Sequence, residues 1–180
     1  MNGPDILKTN EEIARKFREI ETDLAVCTGI GELFERLILG SEKAFGVPFV
    51  WLSLLRTPET EALLGLLRES DILRERINVI DPAPFLEILP DAHPLLAGGD
   101  LHPYFRLMPP NVKYFIRSLA VAPLTCDGRL IGSVNHGDAS QDRYRPGMET
   151  DLLDHLAKTV SEQLSRLLRP ERPAPAGNIN

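Results

Sequence analysis

The sequence lacks several features that would assign it to a broad class at once. Its 180 residues include only two cysteines, Cys27 and Cys126, which do not form a disulfide framework or the spacing of a metal site. The longest apolar run, VPFVWLSLL (47–55), is far shorter than a membrane span. The first twelve residues contain neither the basic nor the apolar segment of a secretory signal. These absences predict a cytoplasmic protein.

The chain also lacks an excess of basic residues. Lysine and arginine number 20 against 26 aspartate and glutamate residues, which gives a net charge of −6. General nucleic-acid binders normally carry a basic face, so this balance argues against nucleic acid as a partner. A hydrophobic content of 43% in a chain of this length is typical of one soluble domain with a real core.

The first predicted helix covers residues 9–25, and residues 1–8 before it are expected to be flexible. Thr9 and Glu12 have the spacing of a capping box. Apolar residues then recur at intervals of three and four, which is the narrow stripe of a helix that packs on another helix. The stripe consists of Ile13, Phe17, Ile20 and Leu24. We expect two protomers to bury this stripe and the apolar stripe of the final helix together as a four-helix bundle, in a homodimer.

The rest of the chain predicts an α+β domain over residues 9–168. Asp127-Gly128 between two apolar runs is a strong hairpin signal. The proline-rich segment 81–112, called the excursion below, predicts a long cover with little regular structure. The tail 169–180 is proline-rich without aromatic residues and predicts disorder. The other predicted elements are a helix over 30–45, a strand over 47–57, a helix over 61–76, a short strand over 77–80, and a final helix of about twenty residues.

Ser133, His136 and Asp138 have the residue types of a nucleophile, a base and an orienting acid. On a strand, however, side chains alternate between the two faces, so Ser133 and His136 project to opposite sides. A nucleophile and its base must be within hydrogen-bond reach. The spacing therefore argues against a hydrolase, and Asp138 is expected to begin a turn.

The segment GDASQDRYRPGMETDLLDHLA (137–157), within a longer match over 118–164, resembles GAF domains. In particular it is similar to the GAF-like group known as domain of unknown function 484. The resemblance implies an antiparallel sheet of about six strands, with the N- and C-terminal helices on one face and a ligand pocket on the other. Asn135 and His136 depart from it, because they stand where the family pattern is usually apolar.

Small and polar side chains on a central strand leave space and place hydrogen-bonding groups inside, as a pocket requires. Under the GAF-like arrangement the excursion would close over them. The candidate ligand-binding residues are Trp51, Ser53, His102, Tyr104, Arg106, Ser133 and Asn135. The alternative is that Ser53, Ser133 and Asn135 satisfy one another across the sheet around buried water.

These features predict a GAF-like small-molecule-binding regulatory or sensor domain without catalytic machinery, acting through a partner protein. The ligand is not identified, no cofactor is assigned, and the four histidines do not have the spacing of a metal site. One alternative is a structural dimerisation module with no ligand. Another is a small GAF-fold redox enzyme that uses Cys126.

Overall fold

The computed structural model describes the backbone of residues 3–169 and the side chains of residues 9–169. Within that part of the chain the α-helices are α1 (Gly3–Ala25), α2 (Ile30–Phe45), α3 (Pro58–Arg68), α4 (Asp71–Arg74), α5 (Pro82–Ile88) and α6 (Asp151–Leu168). The strands are β1 (Phe49–Leu55), β2 (Ile77–Ile80), β3 (Leu95–Gly98), β4 (Ser118–Cys126) and β5 (Arg129–Asp138). Two 3-10 turns cover His102–Leu107 and Lys113–Phe115. None of the described helices is long and apolar enough to cross a membrane.

The five strands form one sheet in the order β2-β1-β5-β4-β3. The pairings β1–β5, β5–β4 and β4–β3 are antiparallel, as predicted, whereas β2 runs parallel to β1 at the edge of the sheet. This parallel pair arises because α3 and α4 carry the chain back along the sheet before β2 begins. The structure therefore confirms the predicted α+β class.

The two faces of the sheet are covered by different parts of the chain. Helices α1, α2, α3, α4 and α6 pack on one face around buried residues such as Phe34, Leu52 and Val134. The excursion packs on the other face, around Trp51, Phe85 and Leu107. The terminal helices thus share one face, as expected for the GAF-like arrangement.

Local sequence signals explain the most regular elements. Gly46 ends α2 in the left-handed conformation, with φ of 61°, which a glycine adopts without strain. Asp127 and Gly128 also have positive φ, at 50° and 80°, and connect β4 to β5 in the predicted hairpin. Asp138 begins a turn, because its Oδ1 accepts a hydrogen bond from the Ser140 amide at 2.8 Å.

The excursion contains more regular structure than its composition predicted. It includes α5, the edge strand β3 and the 3-10 turn at His102–Leu107. These elements are too short for a period of hydrophobicity to be recognised in the sequence. The predicted helix over 61–76 is interrupted, because Ser70 caps a separate helix, α4, through the Leu73 amide.

The apolar stripe of α1 packs within the chain. Leu24 is fully buried and Ile20 is 6% exposed, both in the core beneath α1, while Phe17 stacks on Phe45 with ring centroids 4.7 Å apart. Only Ile13, 36% exposed, is left largely at the surface. Three of the four stripe residues therefore pack within one protomer, which contradicts the expectation that the whole stripe needs a second copy. The homodimer stays a prediction.

The ends of the chain differ from the predicted boundaries. The backbone of α1 begins at Gly3, six residues before the predicted start at Thr9, so part of the segment 1–8 expected to be flexible is helical. Residues 1–2 and 170–180 lie outside the described residues, and the predicted disordered tail, 169–180, lies among them except for Arg169.

We expect Leu24→Ala to lower the free energy of unfolding by about 2–5 kcal/mol, because it leaves a cavity in the protomer core. The matched change Ile13→Ala, on the exposed part of the same stripe, should cost less than about 1 kcal/mol. Urea unfolding monitored by circular dichroism measures both. Equal losses would show that the two positions are buried alike, as in a dimer formed by the whole stripe.

His136 is a buried titratable group on the helix-covered face of the sheet. It is 4% exposed and stands opposite Ala120 across the β4–β5 pair. Burial, and to a smaller extent the positive charge of Arg143, lower the pKa of His136 to about 4. The imidazole is therefore neutral in the folded protein at neutral pH, while in the unfolded chain it titrates near its usual value.

This difference predicts that stability falls in acid. Between pH of about 6.5 and about 4 the unfolded chain binds a proton at residue 136 that the folded protein does not, so stability is lost as pH falls through that window. The contribution of His136 is about 3 kcal/mol. His136→Phe should remove this part of the pH dependence, measured by urea unfolding at pH 7 and pH 4. The exposed control His93→Gln should leave it in place.

Candidate functional site

Four of the predicted site residues meet at the centre of the sheet, on the face covered by the excursion. The antiparallel register of β1 and β5 places Trp51 opposite Asn135 and Ser53 opposite Ser133. Because side chains alternate along a strand, all four lie on one face. Each is buried, with Trp51 2% exposed and the other three fully covered.

The polar atoms of this cluster form a connected set of hydrogen bonds. Ser133 Oγ donates to Asn135 Oδ1 at 2.8 Å, and Asn135 Nδ2 donates to Ser53 Oγ at 2.9 Å. Ser53 Oγ and Trp51 Nε1 then donate to the same acceptor, the carbonyl oxygen of Leu107, each at 2.7 Å. The side chains satisfy one another and a carbonyl of the excursion, so water is not needed to complete this set.

The three remaining predicted site residues lie on the 3-10 turn that ends at Leu107. His102 and Arg106 are exposed and Tyr104 is half-buried against the core of the excursion side. The His102 ring stacks on Phe105 at 4.9 Å between centroids. The structure therefore brings this turn to the cluster through the Leu107 carbonyl. Among the described contacts, no side-chain hydrogen bond joins His102, Tyr104 or Arg106 to the cluster.

Leu107 is the residue that sequence reasoning missed. Its side chain is buried, and its contribution is a backbone carbonyl, which every residue has, so no sequence signal identifies it. The same turn is fixed at a second point, because Asn78 Nδ2 donates to the Arg106 carbonyl at 2.8 Å. Strands β1 and β2 thus hold two successive carbonyls of the excursion.

A cleft of about 210 Å³ opens beside Trp51, between the start of β1 and the end of the excursion. Phe49, Pro109 and Val112 form its apolar wall, and Glu42 and Arg76 form an ion pair of 3.1 Å at its edge. Trp51, at one end of the hydrogen-bonded cluster, is thus one of the residues that line this cleft.

The cysteines lie away from this cluster. Cys27 is buried at the end of α1, where burial, reinforced by Glu32, raises the pKa of its thiol. A raised pKa lowers the fraction of thiolate, which is the reactive form. Cys126 is half-buried at the end of β4, beside the hairpin turn. Within residues 9–169, no group of histidine, cysteine and carboxylate side chains is arranged to hold a metal ion.

The separation of Ser133 and His136 across the sheet is as predicted. Ser133 lies in the cluster on the excursion side, whereas His136 lies on the helix side, near Phe45. The two side chains are not able to act as a nucleophile and its base.

No family model matches the sequence, and no curated protein matches it. Solved structures do resemble it. The free methionine-R-sulfoxide reductase from Neisseria meningitidis, in complex with its substrate, has a TM-score of 0.56 at 20% identity, over 83% of this chain and 87% of that chain. The GAF domain of an Acinetobacter phosphoenolpyruvate-protein phosphotransferase has a TM-score of 0.53 at 12% identity, over 96% and 100%. At these identities the likeness establishes the GAF-like fold alone.

The cluster predicts that substitutions of its two serines affect the excursion differently. Ser53→Ala leaves Asn135 Nδ2 without its acceptor and removes one of two donors from Leu107, so we expect a loss of about 1–3 kcal/mol and faster amide exchange over 101–112. Ser133→Ala is the matched control. It removes a donor that does not touch the excursion, so exchange over 101–112 should stay as in the wild type. Equal exchange in the two variants would contradict the role given to Leu107.

Proposed function

We propose that this chain is a GAF-fold regulatory domain that binds a small molecule between the centre of the sheet and the excursion. The observation that carries the proposal is the convergence of Trp51 Nε1 and Ser53 Oγ on one carbonyl oxygen, that of Leu107. When the Leu107 carbonyl moves away, these two buried donors are left directed at one point, where an oxygen of another molecule can accept from both.

The chemistry of the ligand follows from these donors. A carboxylate, phosphate or carbonyl oxygen would replace the Leu107 carbonyl as their acceptor when the excursion lifts. The Trp51 indole offers a flat apolar wall, which suits an aromatic or otherwise planar body. Arg106 is adjacent to Leu107 in the chain and is exposed, so its guanidinium is free to turn toward an anionic group.

Ligand binding and movement of the excursion are coupled in this proposal. The closed arrangement is stabilised by the two hydrogen bonds to Leu107, and a ligand shifts the equilibrium only by the difference in its affinity for the open and closed forms. The cleft beside Trp51 supports access from the side where Pro109 and Val112 lie. His102 and Tyr104 would close over the ligand with the same turn.

We further propose that the domain regulates another protein and has no catalytic role. The absence of a nucleophile paired with a base in the cluster, and the raised pKa of the Cys27 thiol, support this reading. Tyr114 and Phe115, 75% and 64% exposed directly after the excursion, offer an aromatic surface that would move with it. The motif GDASQDRYRPGM supports placing the chain in domain of unknown function 484 among GAF-like proteins.

The proposal is tested with nucleotides, amino acids and aromatic acids, read out by thermal shift and by Trp51, the only tryptophan. A true ligand should change Trp51 fluorescence and raise the melting temperature as its concentration rises. Arg106→Ala removes the charged partner of the ligand, and Asn135→Leu removes the donor that orients the Ser53 hydroxyl, so each should weaken that ligand by about tenfold or more.

Arg129→Ala is the control, because Arg129 is exposed at the hairpin and distant in the fold from the cluster. It should bind as the wild type does. If a ligand that changes Trp51 fluorescence bound all three variants equally, the site would not be under the excursion. If no compound in these classes bound, the domain would be the ligand-free module of the alternative reading.

A further inference from the structure

A second concave surface lies on the opposite face of the sheet, under α1 and the start of α6. This groove has a volume of about 650 Å³, within the range of small-molecule sites, and most of its wall is apolar. Its main apolar residues are Ile13, Phe17, Phe45, Leu96, Tyr144 and Leu153. The cluster around Asn135 faces the other way, so the groove is separate from the site proposed above.

The inner wall of the groove contains a buried polar group that the protein leaves unsatisfied. The His136 ring lines the groove and is 4% exposed, and its Nε2 has no hydrogen-bond partner among the described residues. Buried nitrogen atoms in folded proteins almost always have a partner. This nitrogen is thus a single covered polar atom in the mainly apolar inner wall of the groove, and no described residue satisfies it.

The edge of the groove favours an anion. Lys16 is half-buried there and forms no ion pair with any described residue. Arg143 lies at the same groove, close to Asp138 and to the Phe45 carbonyl. Helix α6 begins after Thr150 without a side-chain cap, and its first turn contains the carboxylates of Asp151 and Asp154, so Lys16 and Arg143 supply the positive charge at this edge. Glu149 is the carboxylate on the lining, and it is exposed to solvent.

We propose that the groove is a second binding site, for an amphipathic carboxylate. The apolar body of the ligand lies along Phe17, Leu96 and Leu153, and its carboxylate lies at the edge beside Lys16 and Arg143. The apolar contacts supply most of the affinity, and the charges set the orientation. Because the groove is open in the described structure, this binding does not require the excursion to move.

Decanoate is a suitable probe, with decyltrimethylammonium as a ligand of the same chain and opposite charge. In ¹⁵N spectra decanoate should shift the His136 ring, among the four histidines, together with the amides of Phe17 and Leu153, and leave the Trp51 indole unchanged. Lys16→Glu should weaken decanoate by about threefold to tenfold at low salt. Arg18→Glu, the same charge change at an exposed position of α1 outside the groove, should change it by less than about twofold.

Three results would overturn the proposal. Equal binding of the two probes would show that charge does not select the ligand, and shifts centred on Trp51 would place decanoate at the other site. If decanoate failed to bind and Ile13→Glu converted a dimer to monomers in sedimentation, the occupant would be a second copy of this chain. None of these results depends on the ligand screen for the excursion side, where Trp51 fluorescence is the readout.

Discussion

The carbonyl of Leu107 is the contact on which the excursion side of this domain depends. A long connection packed on a sheet brings its backbone polar groups out of water, and each of them then needs a partner. Trp51 and Ser53 provide two donors to one such carbonyl because they are two residues apart on β1 and share a face. The chain following Asp81 is therefore fixed to the centre of the sheet at Leu107, and the residues that follow, Pro109 to Val112, form one side of the cleft beside Trp51.

Strand β5 supplies polar side chains to both faces, and the two faces satisfy them differently. On the excursion side, Ser133 donates a hydrogen bond to Asn135, and Asn135 donates one to Ser53. On the helix side, His136 Nε2 has no partner among the described residues, although its ring is packed near Phe45. The first face is satisfied with the protein alone. On the second face, His136 is buried without a hydrogen-bond partner for Nε2, and the same burial lowers the pKa of its imidazole.

Local signals predicted most of the fold, because they act over a few residues. Gly46 and the Asp127-Gly128 pair specify backbone conformations that few other residues adopt, and both end elements where expected. Alternation along β5 likewise separated Ser133 from His136. The edge strand β3 was missed, since LLAG is too short to show a period, and it is a strand only because β4 lies beside it.

The candidate site was harder to predict than the fold for two physical reasons. The polar residues of β1 and β5 were identified from their composition, but their common acceptor is a backbone atom of Leu107, which no side-chain pattern marks. The stripe on α1 showed that the helix packs on something, and spacing alone does not distinguish the chain's own core from a second copy. The structure shows that Ile20 and Leu24 pack in the chain's own core, with residues of α2 and α6, and this packing depends on contacts far apart in the sequence.

The two concave surfaces differ in how binding would affect the rest of the molecule. A ligand under the excursion competes with the Leu107 carbonyl for the donors of Trp51 and Ser53, so its binding energy is divided between contact and conformational change. A ligand in the helix-side groove meets an existing surface and displaces no described hydrogen bond of His136. Its stabilisation of the fold would rise with the logarithm of ligand concentration once that concentration exceeds the Kd, and it leaves the hydrogen bonds to Leu107 in place. In the two proposals, a ligand under the excursion therefore changes the conformation of the excursion, whereas a ligand in the groove binds the arrangement that is already present.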